Sequence, residues 1–175
     1  YDRGLWKDEP GVNEADGGAP YYNIYECSDG KFIAVAAVES KFYHAFLKRI
    51  GLESDPAFSD QKNPASWPNA RRRVSEKLKA RTRDDWCAYF ADEDACVTPV
   101  LSLSEAPFHP HNARRNTFCK VGSSVQASPS PLYSRHELKS PDPHHISSNN
   151  TVSLLRKLGF SESQISGLER ESVIE

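Results

Sequence analysis

The sequence predicts an α+β fold in which an antiparallel hairpin packs against helices. Residues 21–27 alternate with a period of two before a turn sequence, and residues 32–38 form a small, apolar return strand, which is the pattern of a hairpin. Residues 40–50 then repeat apolar side chains at helical spacing. A Pro-rich stretch over 128–143 precedes two short amphipathic segments, so we expect an extended connector followed by a two-helix tail.

The hairpin is predicted to consist of two strands joined at Ser28-Asp29-Gly30, where Gly30 is available for a positive φ. Its second strand runs over residues 32–38 and contains three alanines, which are weak strand formers. Tertiary packing must therefore favour this strand. Its small side chains would let a ligand or another backbone approach closely.

Three helices are predicted after the hairpin. The first spans 40–50 and stops at Gly51, a residue suited to the left-handed conformation that ends many helices. The second spans 68–81 and starts with Pro68, and a capping-box pattern at Thr82 opens the third. The remaining predicted elements are a short strand over 97–103, a short helix or turn over 104–111 and a strand over 116–121.

The composition divides the chain into four parts. These are a polar linker over 1–19, a small α+β domain over 20–125, an extended Pro-rich connector over 126–150 and a helical tail over 151–175. The absence of Met and the start at Tyr1 indicate a fragment. A net charge of −2 gives no reason to expect nucleic acid as a partner, and no apolar run approaches the length of about 20 residues that spans a bilayer.

The sequence predicts neither a metal site nor a disulfide. The four cysteines lack CxxC spacing and are predicted to be free thiols. The histidines at 109, 111, 144 and 145 have no partner carboxylate or Cys at the spacing of a metal site, so no metal ligands are assigned.

Three blocks occur in one order along the chain: GGAPYYNIYECSDGKFIAVAAVESKFY, DACVTPVLSLSEA and LLRKLGFSESQI. In these blocks the chain resembles the C-terminal part of the α-methylacyl-CoA racemases, which belong to the family III CoA-transferase superfamily. The resemblance implies epimerisation of 2-methylacyl-CoA thioesters by 1,1-proton transfer at the α-carbon. It implies no separate cofactor, because coenzyme A is part of the substrate. It also implies an interlocked homodimer, placed in peroxisomes or mitochondria if the source is an animal and in the cytoplasm otherwise.

The resemblance also assigns site residues. Glu39 takes the position of the family's active-site glutamate, close to a catalytic His. That His and the catalytic Asp belong to a large domain upstream of Tyr1. Tyr22 and Val38 match positions that flank the acyl-CoA site. From the sequence alone, Glu39 is also explained as a first-turn carboxylate that complements the helix dipole, worth about 0.3–1 kcal/mol, and Tyr22 as a core aromatic.

Two other functions remain open at this stage. CoA-transferases of the same superfamily use a nucleophilic Asp, although the run DACVTPVL and the Gly-Phe tail favour the racemases. Residues 154–168 also resemble the first two helices of a ubiquitin-associated module, which requires a third helix. The basic segment over 71–83 spreads its charges around a helix and indicates a solvated face, with contact to CoA phosphates or a partner subunit as the alternative.

Overall fold

The predicted antiparallel hairpin is present in the computed structural model, which describes residues 2–4, 6–139, 141 and 150–174. Strand β1 spans Tyr22–Glu26 and strand β2 spans Phe32–Ala36, with Tyr22 opposite Ala36. Strand β3, Val97–Val100, pairs antiparallel with the other edge of β2, which gives the order β1-β2-β3. The α+β prediction is confirmed.

The three predicted helices follow the hairpin in the chain. They are α1 (Ser40–Ile50), α2 (Trp67–Leu78) and α3 (Arg83–Phe90). Helix α1 ends as predicted at Gly51, whose φ is 68°. Thr82 accepts a hydrogen bond from the amide of Asp85 at 3.2 Å, so the predicted N-cap of α3 is present. The Asp85 carboxylate accepts the Thr82 hydroxyl at 2.7 Å, so it does not complete the capping box through the Thr82 amide. Short turns of other helical types occupy Glu14–Gly18 and Pro56–Phe58.

One face of the sheet and the three helices enclose a hydrophobic core. Strand alternation points Ile33 and Val35 into it and leaves the side chain of Phe32 on the other, exposed face. The ring of Tyr21 packs edge-on against Tyr43, with ring centroids 5.5 Å apart. Further core side chains come from the helices: Phe46, Leu47, Ile50, Trp67, Val74, Leu78, Trp86 and Phe90. Each large apolar side chain buried in this way contributes about 1.5–3 kcal/mol to stability.

The basic segment is only partly the solvated face that its charge pattern suggested. The guanidinium of Arg71 donates to the carbonyl of Gly17 at 2.9 Å. Arg83 is only 5% exposed, and its guanidinium donates to the carbonyl of Val100 at 3.0 Å. These arginines tie α2 and α3 to neighbouring loops and strands because a guanidinium can satisfy several carbonyls at once.

Residues 103–175 form a second compact unit, divided from the first after Ser102. In chain order it contains a 3₁₀ turn at Ala106–Phe108, α4 (Pro110–Arg114), β4 (Phe118–Val121), β5 (Ser124–Ala127), α5 (Thr151–Lys157) and α6 (Glu162–Arg170). Strands β4 and β5 pair antiparallel. Part of the predicted connector, 140 and 142–149 with His144 and His145, lies outside the described residues.

The tail has the two helices that the sequence predicts. The amide of Gln164 donates to Ser161 Oγ at 3.3 Å and the amide of Ser161 donates to Gln164 Oε1 at 2.9 Å, so the capping box that opens α6 is confirmed. Residues 171–174 are not helical, and the described tail therefore lacks the third helix that a ubiquitin-associated module requires. None of the helices within the described residues is both long and apolar enough to cross a membrane.

Candidate functional site

Glu39 is the residue that links the sheet to α1. It occupies the N-cap position, one residue before the first turn in which the sequence placed it, with an extended backbone. Its carbonyl accepts the amide of Tyr43 at 3.0 Å, and its side chain caps no amide of the helix. Within the described part of the chain, the exposed Glu39 carboxylate makes no hydrogen bond or ion pair. It is therefore a charged group free to contact a ligand or a residue supplied from elsewhere.

The backbone that leads to Glu39 is held by three hydrogen bonds. The amide of Ala36 donates to the carbonyl of Cys96 at 2.9 Å, and the amide of Val38 donates to the carbonyl of Ala36 at 3.0 Å. The side chain of Gln61 donates to the carbonyl of Val38 at 2.8 Å. Val38 itself is half-buried against the core. The direction in which the chain leaves the sheet is therefore fixed on both sides of Val38.

Cys96 lies beside Glu39 and has a strained backbone. Its φ of 50° is in the left-handed region, which a residue with a β-carbon adopts only at a cost. Burial raises the pKa of its thiol, and the carboxylates of Asp94 and Glu39 raise it further. The sequence identified Cys96 only as one of four free cysteines, and the structure adds its neutral thiol to the surroundings of Glu39.

Tyr22 lies on the outer face of the sheet. Its side chain is 38% exposed, whereas the neighbouring Tyr21 is completely buried, because successive residues of a strand point to opposite faces. A concave surface of about 410 Å³ lies along this outer face. We call it the outer concavity, and it is lined by Asp16, Gly17, Tyr22, Asn23, Ile24, Ala34, Val35 and Ala36. Tyr22 is thus placed at a surface rather than in the core.

Gly17 lines the outer concavity, and the conformation of Gly17 and the close backbone contact of Gly18 both favour glycine. Gly17 has a φ of 97°, and a β-carbon on Gly18 would lie 2.4 Å from the carbonyl oxygen of Asn13. The carbonyl of Gly17 accepts hydrogen bonds from the side chains of Asn23, at 2.7 Å, and Arg71, at 2.9 Å. Two elements, β1 and α2, therefore hold this border in place.

A hydrogen-bonded pair, buried Asn13 and half-buried Asp16, organises the chain before these glycines. Asn13 is 5% exposed, and its side-chain amide donates to Asp16 Oδ2 at 2.7 Å. Burial opposes ionisation of Asp16, but hydrogen bonds from Asn13 and from the amides of Gly11 and Gly18 outweigh it and hold its pKa below the usual value. The hydrogen bonds of this turn therefore favour the ionised form of Asp16.

The three residues assigned by resemblance lie near the same end of the sheet. Tyr22 begins β1 and stands opposite Ala36, the last residue of β2, and Val38 and Glu39 follow Ala36 by two and three positions. No set of three or more His, Cys, Asp or Glu side chains that could hold a metal ion occurs in the described ranges. Of these residues, Tyr22 lines the outer concavity, Val38 packs against the core, and Glu39 is exposed at the N-cap of α1.

Comparison with known proteins shows the family to which this chain belongs. The chain belongs to CoA-transferase family III, which it matches over residues 4–143. Its sequence is similar to two α-methylacyl-CoA racemases, with 40% identity over 174 residues to the mouse protein and 35% over 179 residues to the human protein. Each alignment covers 98% of this chain and 45% of the racemase, so the chain spans slightly less than half the length of these relatives.

One further sequence relative and one solved structure also match this chain. A CaiB/baiF CoA-transferase family protein from Caenorhabditis elegans is 35% identical over 127 residues, which is 70% of this chain and 34% of that protein. The crystal structure of Rv3272 from M. tuberculosis superimposes with a TM-score of 0.60, covering 74% of this chain and 38% of that one. Its sequence identity is 14%, so this likeness concerns the fold alone.

Proposed function

We propose that this chain is part of an acyl-CoA racemase that interconverts (2R)- and (2S)-2-methylacyl-CoA by 1,1-proton transfer at the α-carbon. Similarity to two racemases over 98% of the chain supports this reaction. The structural observation that carries the proposal is the exposed Glu39 carboxylate, which has no partner within the described chain and lies at the same end of the sheet as Tyr22 and Val38.

The reaction needs a base on one face of the α-carbon, an acid on the other and stabilisation of the enolate at the thioester oxygen. In the proposal, a His and an Asp from a large domain transfer the protons, and Glu39 supports the His. A carboxylate beside an imidazole favours its cationic form and fixes its orientation. Glu39 suits this role because its carboxylate is exposed and caps no amide of α1.

The outer concavity supplies a surface for the thioester. Ala34 and Ala36 keep its floor low, and Tyr22 and Ile24 give it apolar walls, which favours an acyl or pantetheine segment over a charged group. The large domain would come from a second subunit of an interlocked homodimer. In an animal source we place this enzyme in peroxisomes or mitochondria, and otherwise in the cytoplasm.

The test is exchange of the substrate α-proton with deuterated water, followed by NMR, for the full-length protein and for residues 1–175 alone. We expect exchange with racemisation by the full-length protein and none by residues 1–175, because this part lacks both proton-transfer residues. Exchange by residues 1–175 alone would contradict the division of labour between domains. No exchange by the full-length protein would contradict the racemase proposal.

CoA transfer is the second candidate, and the family match and the C. elegans relative favour it. A transferase moves CoA from a thioester to a free carboxylic acid through an anhydride with an Asp nucleophile, without breaking the α-carbon–hydrogen bond. Incubation of the full-length protein with a labelled free acid and an acyl-CoA donor distinguishes the two reactions. Labelled thioester formed without α-proton exchange would establish the transferase.

A further inference from the structure

We propose that Gln61 is a positioning residue for Glu39, an inference that rests on the proposed function. Gln61 lies in the loop between α1 and α2 and makes no contact that would place it in the reaction itself. Its side-chain amide donates to the carbonyl of Val38 at 2.8 Å, across 23 positions of sequence. That carbonyl belongs to the peptide group that joins Val38 to Glu39.

The orientation of this peptide group determines where Glu39 points. A peptide is planar, so fixing the carbonyl of Val38 also fixes the amide nitrogen of Glu39 and limits the direction of its side chain. Most N-cap side chains are held by a bond to an amide of the first helical turn. Glu39 has no such bond, so its carboxylate stays free while the backbone bond from Gln61 sets its starting direction.

Gln61 is itself held by the core. Its main-chain carbonyl accepts the indole N–H of Trp67 at 3.0 Å, and Trp67 is buried against the ring of Tyr21. The main chain of Gln61 is therefore anchored to a buried ring, and its side chain holds the Val38 carbonyl from a fixed position.

The residue after Gln61 connects the same loop to the other side of the site. Lys62 forms an ion pair with Glu14, and Glu14 accepts the hydroxyl of Tyr21 at 2.9 Å. Glu14 begins the turn that ends at Gly18. One loop thus holds both the peptide before Glu39, through Gln61, and the segment that borders the outer concavity, through Lys62.

The experiment compares Gln61→Met, Gln61→Glu and Asn63→Ala in the full-length protein. Met keeps the length of Gln without the donor, and Glu replaces the donor with an acceptor that repels the carbonyl. Asn63 is the matched control, because its side chain accepts the amide of Ala65 at 3.1 Å in the same loop and makes no bond to Val38. Loss of one hydrogen bond predicts that Gln61→Met lowers kcat by about three- to ten-fold with KM changed less than about two-fold.

Two further readouts separate positioning from general stabilisation. Gln61→Glu should lower kcat more than Gln61→Met, and both should speed amide hydrogen exchange over residues 36–43 relative to Asn63→Ala. Equal kcat losses for Gln61→Met and Asn63→Ala, or wild-type kcat in both Gln61 variants, would overturn the inference. If the wild-type protein exchanges no α-proton, the racemase proposal fails. In that case unchanged local exchange in Gln61→Met refutes the positioning contact, and faster local exchange supports it.

Discussion

Replacing Glu39 with Gln tests the proposed site with the smallest change in shape. The substitution keeps the length of the side chain and removes its charge. Because the Glu39 carboxylate forms no ion pair or hydrogen bond within the described chain, the change breaks no internal contact. The cost to folding is limited to the interaction of the carboxylate with the start of α1, about 0.3–1 kcal/mol.

The cost to catalysis depends on the imidazolium that Glu39 is proposed to support. A pair of opposite unit charges about 4 Å apart is worth about 1 kcal/mol in water and about 4 kcal/mol at the effective dielectric constant near a protein surface. We therefore expect kcat of the full-length protein to fall by about ten- to a thousand-fold, which corresponds to about 1.4–4 kcal/mol of barrier. KM should change much less, because in the proposal Glu39 contacts the His and not the thioester.

The assay is the rate of α-proton exchange with deuterated water under substrate saturation, measured by NMR. Glu53→Gln is the control, because Glu53 is an exposed carboxylate shortly after α1 and lies outside the site. That variant should retain wild-type kcat. A Glu39→Gln enzyme with full activity would reduce Glu39 to a charge at the end of a helix and would refute the reasoning.

Three more predictions concern stability and assembly. Gly18→Ala should destabilise the protein by about 1–3 kcal/mol in urea unfolding, since its β-carbon would meet the backbone of Asn13, whereas Gly167→Ala, with nothing within 4 Å, should be neutral or slightly stabilising. The pKa of Asp16 is lowered in the folded state, so ionised Asp16 stabilises the fold fully above the unfolded pKa, and this stabilisation is lost as the pH falls through the folded pKa. Asn13→Ala should therefore make the melting temperature less dependent on acid pH. Residues 1–175 alone should self-associate in sedimentation experiments, because the outer sheet face exposes Tyr22, Ile24, Phe32 and Val100, and a strictly monomeric chain at high concentration would contradict this.

The local elements could be predicted because their signals lie within a few neighbouring residues. The stop at Gly51 and the caps at Thr82 and Ser161 depend on short-range chemistry that the sequence shows directly. Strand alternation likewise indicates two faces for residues 21–27, but it does not say which face is buried. Only the packed helices decide that Tyr21 is in the core and that Tyr22 is outside.

The surroundings of Glu39 could not be predicted from the sequence. Gln61 and Cys96 lie 22 and 57 positions away along the chain, and nothing in their local sequence indicates that they meet the same turn. The same limit explains the arginines of the basic segment. Charge spacing along α2 indicates exposure, whereas the bond from Arg71 to Gly17 depends on a loop that folds back from 54 positions earlier. Contacts of this kind are determined by how distant segments pack together and not by any local sequence pattern.

The adjacent tyrosines at the start of β1 link folding to function through a single register. One ring lies in the core against Tyr43 and Trp67, and the next lines the outer concavity. Shifting β1 by one residue against β2 would exchange their places, expelling an aromatic anchor from the core while emptying the wall of the site. A chain that has folded has therefore already oriented Tyr22 outward, and an insertion or deletion within this strand cannot alter the site and leave the core intact.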